Sequence, residues 1–163
     1  MRPAVLPIGL RLTQVSRAVA RAFDDALAAA SGSLPIWLVL LNVKIRSTAN
    51  QRALAEAMGI SEPTLTHHLN AMEADGLLTR RRDPANRRVH IVALTDDGEQ
   101  AFLRLRDAAI AFDGQLRRGI SDADAAKLSE VLGRLAVNVG VGGDDQAPWA
   151  GLAEQATASS FTS

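Results

Sequence analysis

Five arginines fall within nine positions in the stretch Arg80-Arg81-Arg82-Asp83-Pro84-Ala85-Asn86-Arg87-Arg88. A guanidinium is always charged and presents its donors in a planar fork, so a cluster of them suits phosphate or carboxylate. From Leu78 to His90 five arginines face one aspartate, although the whole chain holds 18 basic and 18 acidic side chains and has a formal net charge of zero. The acids that balance the cluster lie mostly in later segments. Just upstream, Ser61, Pro63, Thr64, Thr66, His67 and Asn70 form a second group of polar or small side chains. Side chains of this kind let a helix enter a DNA major groove and meet base edges or phosphates.

Other chemistries find less support. The chain has no cysteine, which removes disulfides, thiolate metal ligands and thiol redox sensing, and fits a reducing cytoplasm as the expected location. His67 and His68 are adjacent and would project about 100° apart on a helix, so they chelate one ion poorly, and the third histidine is the distant His90. No metal site and no cofactor are expected. There is no glycine-rich phosphate loop, nucleophile elbow or paired carboxylate at a strand end, so the chain does not read as an enzyme. The longest apolar run, Ile36 to Val43, is interrupted by Asn42 and falls short of the ~20 residues a bilayer requires. Pro3, Pro7 and Arg11 break up the N-terminal apolar stretch. Neither a membrane partner nor a signal peptide is expected.

The elements that must position these residues follow from periodicity. Leu12, Val15, Val19, Phe23 and Leu27 stack on one face of a helix over 12–30. Residues 35–45 are apolar almost all round, which predicts a buried helix. Asn50 and Ser61 cap two short helices, 51–58 and 62–75, joined by the tight Gly59-Ile60-Ser61 turn. Leu65, Leu69 and Met72 form the inward stripe of the second, leaving the polar group above on its outer face. Residues 77–82 and 87–94 read as two strands around an Asp83–Asn86 turn. Thr95 caps a long helix with Phe102, Leu105, Ala109, Phe112 and Leu116 along it, and Ser121 caps a last one bearing Leu128, Val131, Leu132, Leu135 and Val139.

A helix-turn-helix followed by a basic hairpin is a winged helix, and the run LAEAMGISEPTLTHHLNAMEADGLLTRRRDPANRRVHIVALTDDG, Leu54 to Gly98, resembles the MarR family of bacterial transcription regulators. The resemblance extends over roughly residues 10 to 139. It implies that Ser61, Pro63, Thr64, Thr66 and His67 face the groove and that Arg87 and Arg88 are wing contacts. Two positions depart from the family pattern. Asn86 stands where an acid usually pairs with the final wing arginine, and His67 where arginine is common. The resemblance also implies a homodimer on double-stranded DNA and a small aromatic or phenolic inducer.

The expected fold is mostly α with a small β-hairpin wing: a winged helix-turn-helix plus a helical dimerisation region. The winged lobe spans 34–95, the helical region 8–33 and 96–139, and a flexible tail 140–163. The expected function is a sequence-specific, ligand-responsive repressor. Its DNA contacts are Ser61, Pro63, Thr64, Thr66, His67 and Asn70 on the recognition helix, and Arg81, Arg82, Arg87 and Arg88 on the wing. Arg80, Arg81 and Arg82 are not equivalent, because strand alternation turns one away and Glu73, Asp75 and Asp83 are available to pair with it. Trp37 is read as core, with the lining of an effector pocket as the other possibility. The alternative function is an architectural or protein-interaction winged helix without small-molecule control.

Overall fold

The computed structural model describes residues 6–46 and 49–140. The expectations for the first five residues and for the tail beyond Gly140 lie outside the described residues. In chain order the elements are α1 (Ile8–Ala29), α2 (Leu34–Ile45), β1 (Ala49–Asn50), α3 (Gln51–Met58), α4 (Glu62–Ala74), β2 (Leu78–Arg82), β3 (His90–Leu94), α5 (Asp96–Leu116) and α6 (Asp122–Asn138).

Short polar residues start most of these helices by accepting a backbone N–H at the first turn. Asn50 Oδ1 accepts from Ala53 N at 2.7 Å, and Thr95 Oγ1 from Gly98 N at 3.0 Å. Ser33, Ser61 and Ser121 do the same for α2, α4 and α6. Gly59 and Gly76 end α3 and α4 with φ of 64° and 73°, a region that costs a Cβ-bearing residue energy.

The core forms around α2. Trp37, Val39, Leu40 and Leu41 are fully buried there, together with Leu54 from α3, Leu65, Leu69 and Met72 from α4, and Leu78 and Val92 from the sheet. The helical region adds Leu27, Phe102 and Leu105. No single described helix is long and apolar enough to cross a membrane; α1 and α2 meet at a 77° bend.

The hairpin differs from the sequence expectation in two ways. It belongs to a three-stranded antiparallel sheet of order β1-β3-β2, with Ala49 opposite Val92 and Asn50 opposite Ile91. A two-residue strand carries too little periodicity to be read from sequence. The return strand also begins at His90 rather than 87, so Arg87 and Arg88 belong to the loop. There Ala85 N donates to Asp83 Oδ1 at 2.8 Å, Arg88 N to Asn86 Oδ1 at 3.2 Å and Val89 N to the Asn86 carbonyl at 2.8 Å. These local bonds take up the backbone donors that a longer ladder would have used.

The apolar stripes of the outer helices are only partly buried. Leu27 is enclosed and Phe23 stacks on Phe112 at 5.1 Å, but Leu12 and Val15, on the same stripe, are exposed. Leu105 is buried while Leu116 is exposed, and no residue of α6 is buried.

The junction between wing and α5 is tight. Thr95 N donates to the Leu77 carbonyl at 3.1 Å, and Thr95 Oγ1 to the Gly76 carbonyl at 2.5 Å. Gly98 sits in the first turn of α5, where a Cβ would overlap the Leu77 carbonyl oxygen, a backbone atom that cannot rotate away. Gly98→Ala is therefore expected to destabilise the chain by about 2–3 kcal/mol in urea unfolding, within the range for overpacking. Gly114→Ala, in the same helix with nothing within 4 Å of its Cβ position, should stabilise by up to ~1 kcal/mol. Equal effects at the two sites would contradict the junction described.

Candidate nucleic-acid interface

Packing decides which face α4 presents. With Leu65, Leu69 and Met72 turned inward, Ser61, Pro63, Thr64, His67 and Asn70 are exposed. Ser61 Oγ lies 2.8 Å from Thr64 Oγ1, so the two hydroxyls share a bond at the start of the helix. Thr66 is placed differently from its neighbours. Its hydroxyl donates to the Glu62 carbonyl at 2.9 Å and accepts from Gln51 Nε2 at 2.6 Å, which leaves it half-buried between α3 and α4. Gln51 was not singled out in the sequence. The available signal was its place directly after the Asn50 cap, where a long polar side chain can reach the neighbouring helix.

The wing splits its arginines. Leu78, Arg80 and Arg82 alternate with Thr79 and Arg81 across the two faces of β2. Leu78 is in the core, and Arg80, next along that face, folds against α4. Arg80 Nε and Nη2 donate to Glu73 Oε2 at 3.0 and 2.6 Å, its backbone N to Glu73 Oε1 at 3.1 Å, and Nη2 also to Asn70 Oδ1 at 2.6 Å. Of the acids that could have paired with this run, Glu73 is the one that does. The side-chain bond from Arg80 holds the Glu73 carboxyl below its ordinary 4.5, helped by the Arg80 backbone bond, opposed by burial, and helped least by the guanidinium charge.

Arg81, Arg82, Arg87 and Arg88 are exposed, and among the described residues none of them enters an ion pair. Asn86 supplies the turn-shaping hydrogen bond to Arg88 N without supplying a counter-charge. The hairpin tip therefore keeps its positive charges for an external partner. A polar cleft of about 310 Å³, lined by Gln51, Glu73, Arg80 and His90, lies between α3, α4 and the wing.

The remaining candidates fall outside this surface. His67 and His68 tilt apart with ring centroids 5.8 Å apart, and among the described residues no three metal-ligating side chains cluster. Trp37 is fully buried and stacks on Phe102 at 5.8 Å, as the core reading expects. Its Nε1 is buried without an acceptor among the described residues.

Comparison with known proteins matches this architecture. The model of the MarR family matches residues 33–90, the stretch from the α2 cap to the start of β3. A protein of Thauera aromatica described as a transcriptional regulatory protein for the hcr operon is 29% identical over 129 residues, 78% of each chain. The solved structure of the transcriptional repressor CouR bound to a 23-mer DNA duplex aligns with a TM-score of 0.73 and 27% identity, covering 80% of this chain and 92% of that one. CouR from Rhodococcus jostii RHA1 bound to p-coumaroyl-CoA aligns with a TM-score of 0.70 and 25% identity, covering 83% and 96%. These relatives are regulators, not enzymes.

A folded-state carboxyl held below its ordinary value stabilises the fold above that value, and the contribution is lost as the pH falls through the folded value. The Glu73–Arg80 pair should therefore be at full strength near neutrality. The melting-temperature gap between wild type and Glu73→Gln is expected to be constant from about pH 6 to pH 8 and to close as the pH falls below 4.5. A gap that is unchanged in acid would mean that Glu73 does not act as a carboxylate.

Proposed function

We propose that this chain, whose residues 33–90 match the model of the MarR family, is a regulator of that kind: it binds a pseudo-palindromic operator as a homodimer and represses transcription under the control of a small aromatic or phenolic effector. The observation that carries the reading is the pairing of the exposed polar face of α4 with a hairpin whose Arg81, Arg82, Arg87 and Arg88 have no counter-charge among the described residues. A helix of that width fits the major groove. Arginines beside it neutralise phosphates or enter the adjacent minor groove, where the potential is most negative. In this reading residues 34–95 are the DNA-binding lobe, with Ser61, Pro63, Thr64, His67 and Asn70 towards the bases. Thr66 contributes by fixing α4 against Gln51. The DNA-bound CouR structure supports this placement by likeness.

The helical region, 8–33 and 96–139, is read as the dimerisation surface. An isolated amphipathic helix is marginal in water, yet α6 has no buried residue and leaves Leu128, Leu132 and Val137 exposed. The first half of α1 likewise exposes Ile8, Leu12 and Val15. A second copy covering these faces would bury them and set two α4 helices about 34–36 Å apart, one turn of DNA. The effector is supported by the ligand-bound CouR structure and by Trp37. A ligand oxygen reaching its N–H, which has no acceptor among the described residues, would gain a bond with little further desolvation, and would favour whichever arrangement of lobe and helices admits it.

Duplexes enriched by the protein from a random pool supply the test. At one salt concentration the enriched duplex should bind about 10³-fold or more tightly than random DNA, and equal affinity would instead favour an architectural module. Arg88→Ala should weaken both and reduce the slope of log affinity against log salt by about 0.9. His67→Ala should relax base preference with the slope retained. Independently, the double substitution Leu128→Asp and Leu132→Asp should yield a monomer in sedimentation equilibrium. Each buried leucine contributes about 1.5–3 kcal/mol and counts twice in a symmetric interface.

A further inference from the structure

We propose that Arg80 is a positioning residue for DNA recognition, tying the wing to the recognition helix and turning the Asn70 amide so that its N–H donors, and not its carbonyl, face the groove. The inference rests on the DNA-binding reading given above.

Arg80 is separated from the other wing arginines by what surrounds it. Its side chain is only 20% exposed, and Glu73 provides a full counter-charge. To reach a phosphate it would have to give up its side-chain bonds to both Glu73 and Asn70. Arg82 lies two residues further along the same strand face and has no ion-pair partner among the described residues. The difference between them is the Asn70/Glu73 pair, spaced i, i+3 on α4 and so stacked on one side of that helix. The Glu73 carboxylate takes the Arg80 side chain and the Arg80 backbone N together. Wing strand and recognition helix are therefore joined through main chain as well as side chain.

The consequence for Asn70 follows from the donor inventory. A guanidinium has only donors, so the Asn70 atom 2.6 Å from Arg80 Nη2 must be the carbonyl oxygen. The amide is planar, which sends its NH2 group to the opposite side. An asparagine that reads adenine needs its oxygen and its nitrogen together, one for N6–H and one for N7. With the oxygen held by Arg80, Asn70 faces DNA as a donor. Its partners are then acceptors: guanine O6 or N7, thymine O4, or a phosphate oxygen. Arg80 thus influences sequence preference at a distance, by choosing which end of a neighbouring amide is presented.

Two substitutions test this, with the duplex that wild type enriches from a random pool as the probe. Asn70→Asp keeps an oxygen for Arg80 and replaces the outward donor by an anionic acceptor on an exposed side chain. It should melt no lower than wild type, yet bind the duplex at least tenfold more weakly, and more weakly than Asn70→Ala. Arg80→Met removes the tie but keeps an apolar stem. It should retain the wild-type salt slope, lower the ratio of enriched to random binding about tenfold, and shift base preference at one position towards adenine. A slope reduced by about 0.9 in Arg80→Met would make Arg80 a phosphate contact and overturn the proposal. So would Asn70→Asp binding as tightly as wild type. If Arg80→Met melts well below wild type, the comparison of Asn70→Asp with Asn70→Ala decides alone. A wild-type protein with no preference for any duplex would take down the DNA-binding reading itself, whereas a selective wild type with unaltered variants would take down only the role of Arg80.

Discussion

The constraint on which the rest depends is that α2 has no polar face. A helix that is apolar all round must be covered on every side, and here the covering elements are those that carry function. Its Leu40 and Leu41 belong to the same cluster as Leu54 of α3 and Leu65 and Leu69 of α4, which fixes the helix-turn-helix. Its Trp37 ring stacks on Phe102 of α5, at 16° between planes. Each fully buried side chain of this size contributes about 1.5–3 kcal/mol. The one amide in the group, Asn42, is 2% exposed and donates to the Leu38 carbonyl at 2.8 Å, so its burial leaves that donor satisfied. At the C-terminal end Lys44 bonds Glu99 at 2.9 Å and sits 5.6 Å from the Phe102 ring centroid, where a cation also suits the helix dipole.

Charge is organised by geometry on top of this packing. A neutral chain can present a basic surface because the cancelling acids are placed elsewhere or used internally. Glu73 neutralises Arg80, while the loop side chains Asp83 and Asn86 accept hydrogen bonds from the backbone of the turn. An acid in place of Asn86 would have set a carboxylate beside Arg88. The amide shapes the turn equally well and leaves Arg87 and Arg88 their full charge. In water such exposed charges interact weakly with one another and strongly with a polyanion that releases counterions on binding.

Much of this was legible in the residues. Caps at Asn50, Ser61, Thr95 and Ser121 and the Leu65/Leu69/Met72 stripe are local signals, because each depends on side chains within a turn or two of each other, and they located the helix-turn-helix and the exposed face of α4. The unlike behaviour of the three consecutive arginines was legible in outline from strand alternation, and the choice of Glu73 over Asp75 and Asp83 required the fold. What escaped was non-local or very short. The strand β1 has two residues, and the Gln51–Thr66 bond joins two helices. Sequence pattern draws Arg87 and Arg88 into the return strand because their neighbours Val89 to Leu94 favour one, while the turn bonds of Asp83 and Asn86 extend the loop to 89. The apolar stripes of α1, α5 and α6 are legible as stripes, but periodicity alone does not say whether a stripe meets its own chain or another.

α5 connects the two halves mechanically. Its first turn is held to the base of the wing by the Thr95 bonds to Gly76 and Leu77 and by the close approach of Gly98. Its far end carries the exposed Leu116 and leads into α6. A straight helix of 21 residues is a rod of about 31 Å. Rotating such a rod by about 5° at one end displaces the other by about 3 Å, comparable to the spacing of neighbouring base pairs. With the wing clamped to one end and exposed apolar surface at the other, a displacement at the far end of α5 would be delivered to the wing with little loss. The Trp37–Phe102 stack lies close to the clamped end, on the side of α2. A molecule that disturbed that stack would act where a small displacement of α2 against α5 changes the angle between lobe and rod. The same burial that makes α2 the centre of the core thus makes its contact with α5 the joint between lobe and rod.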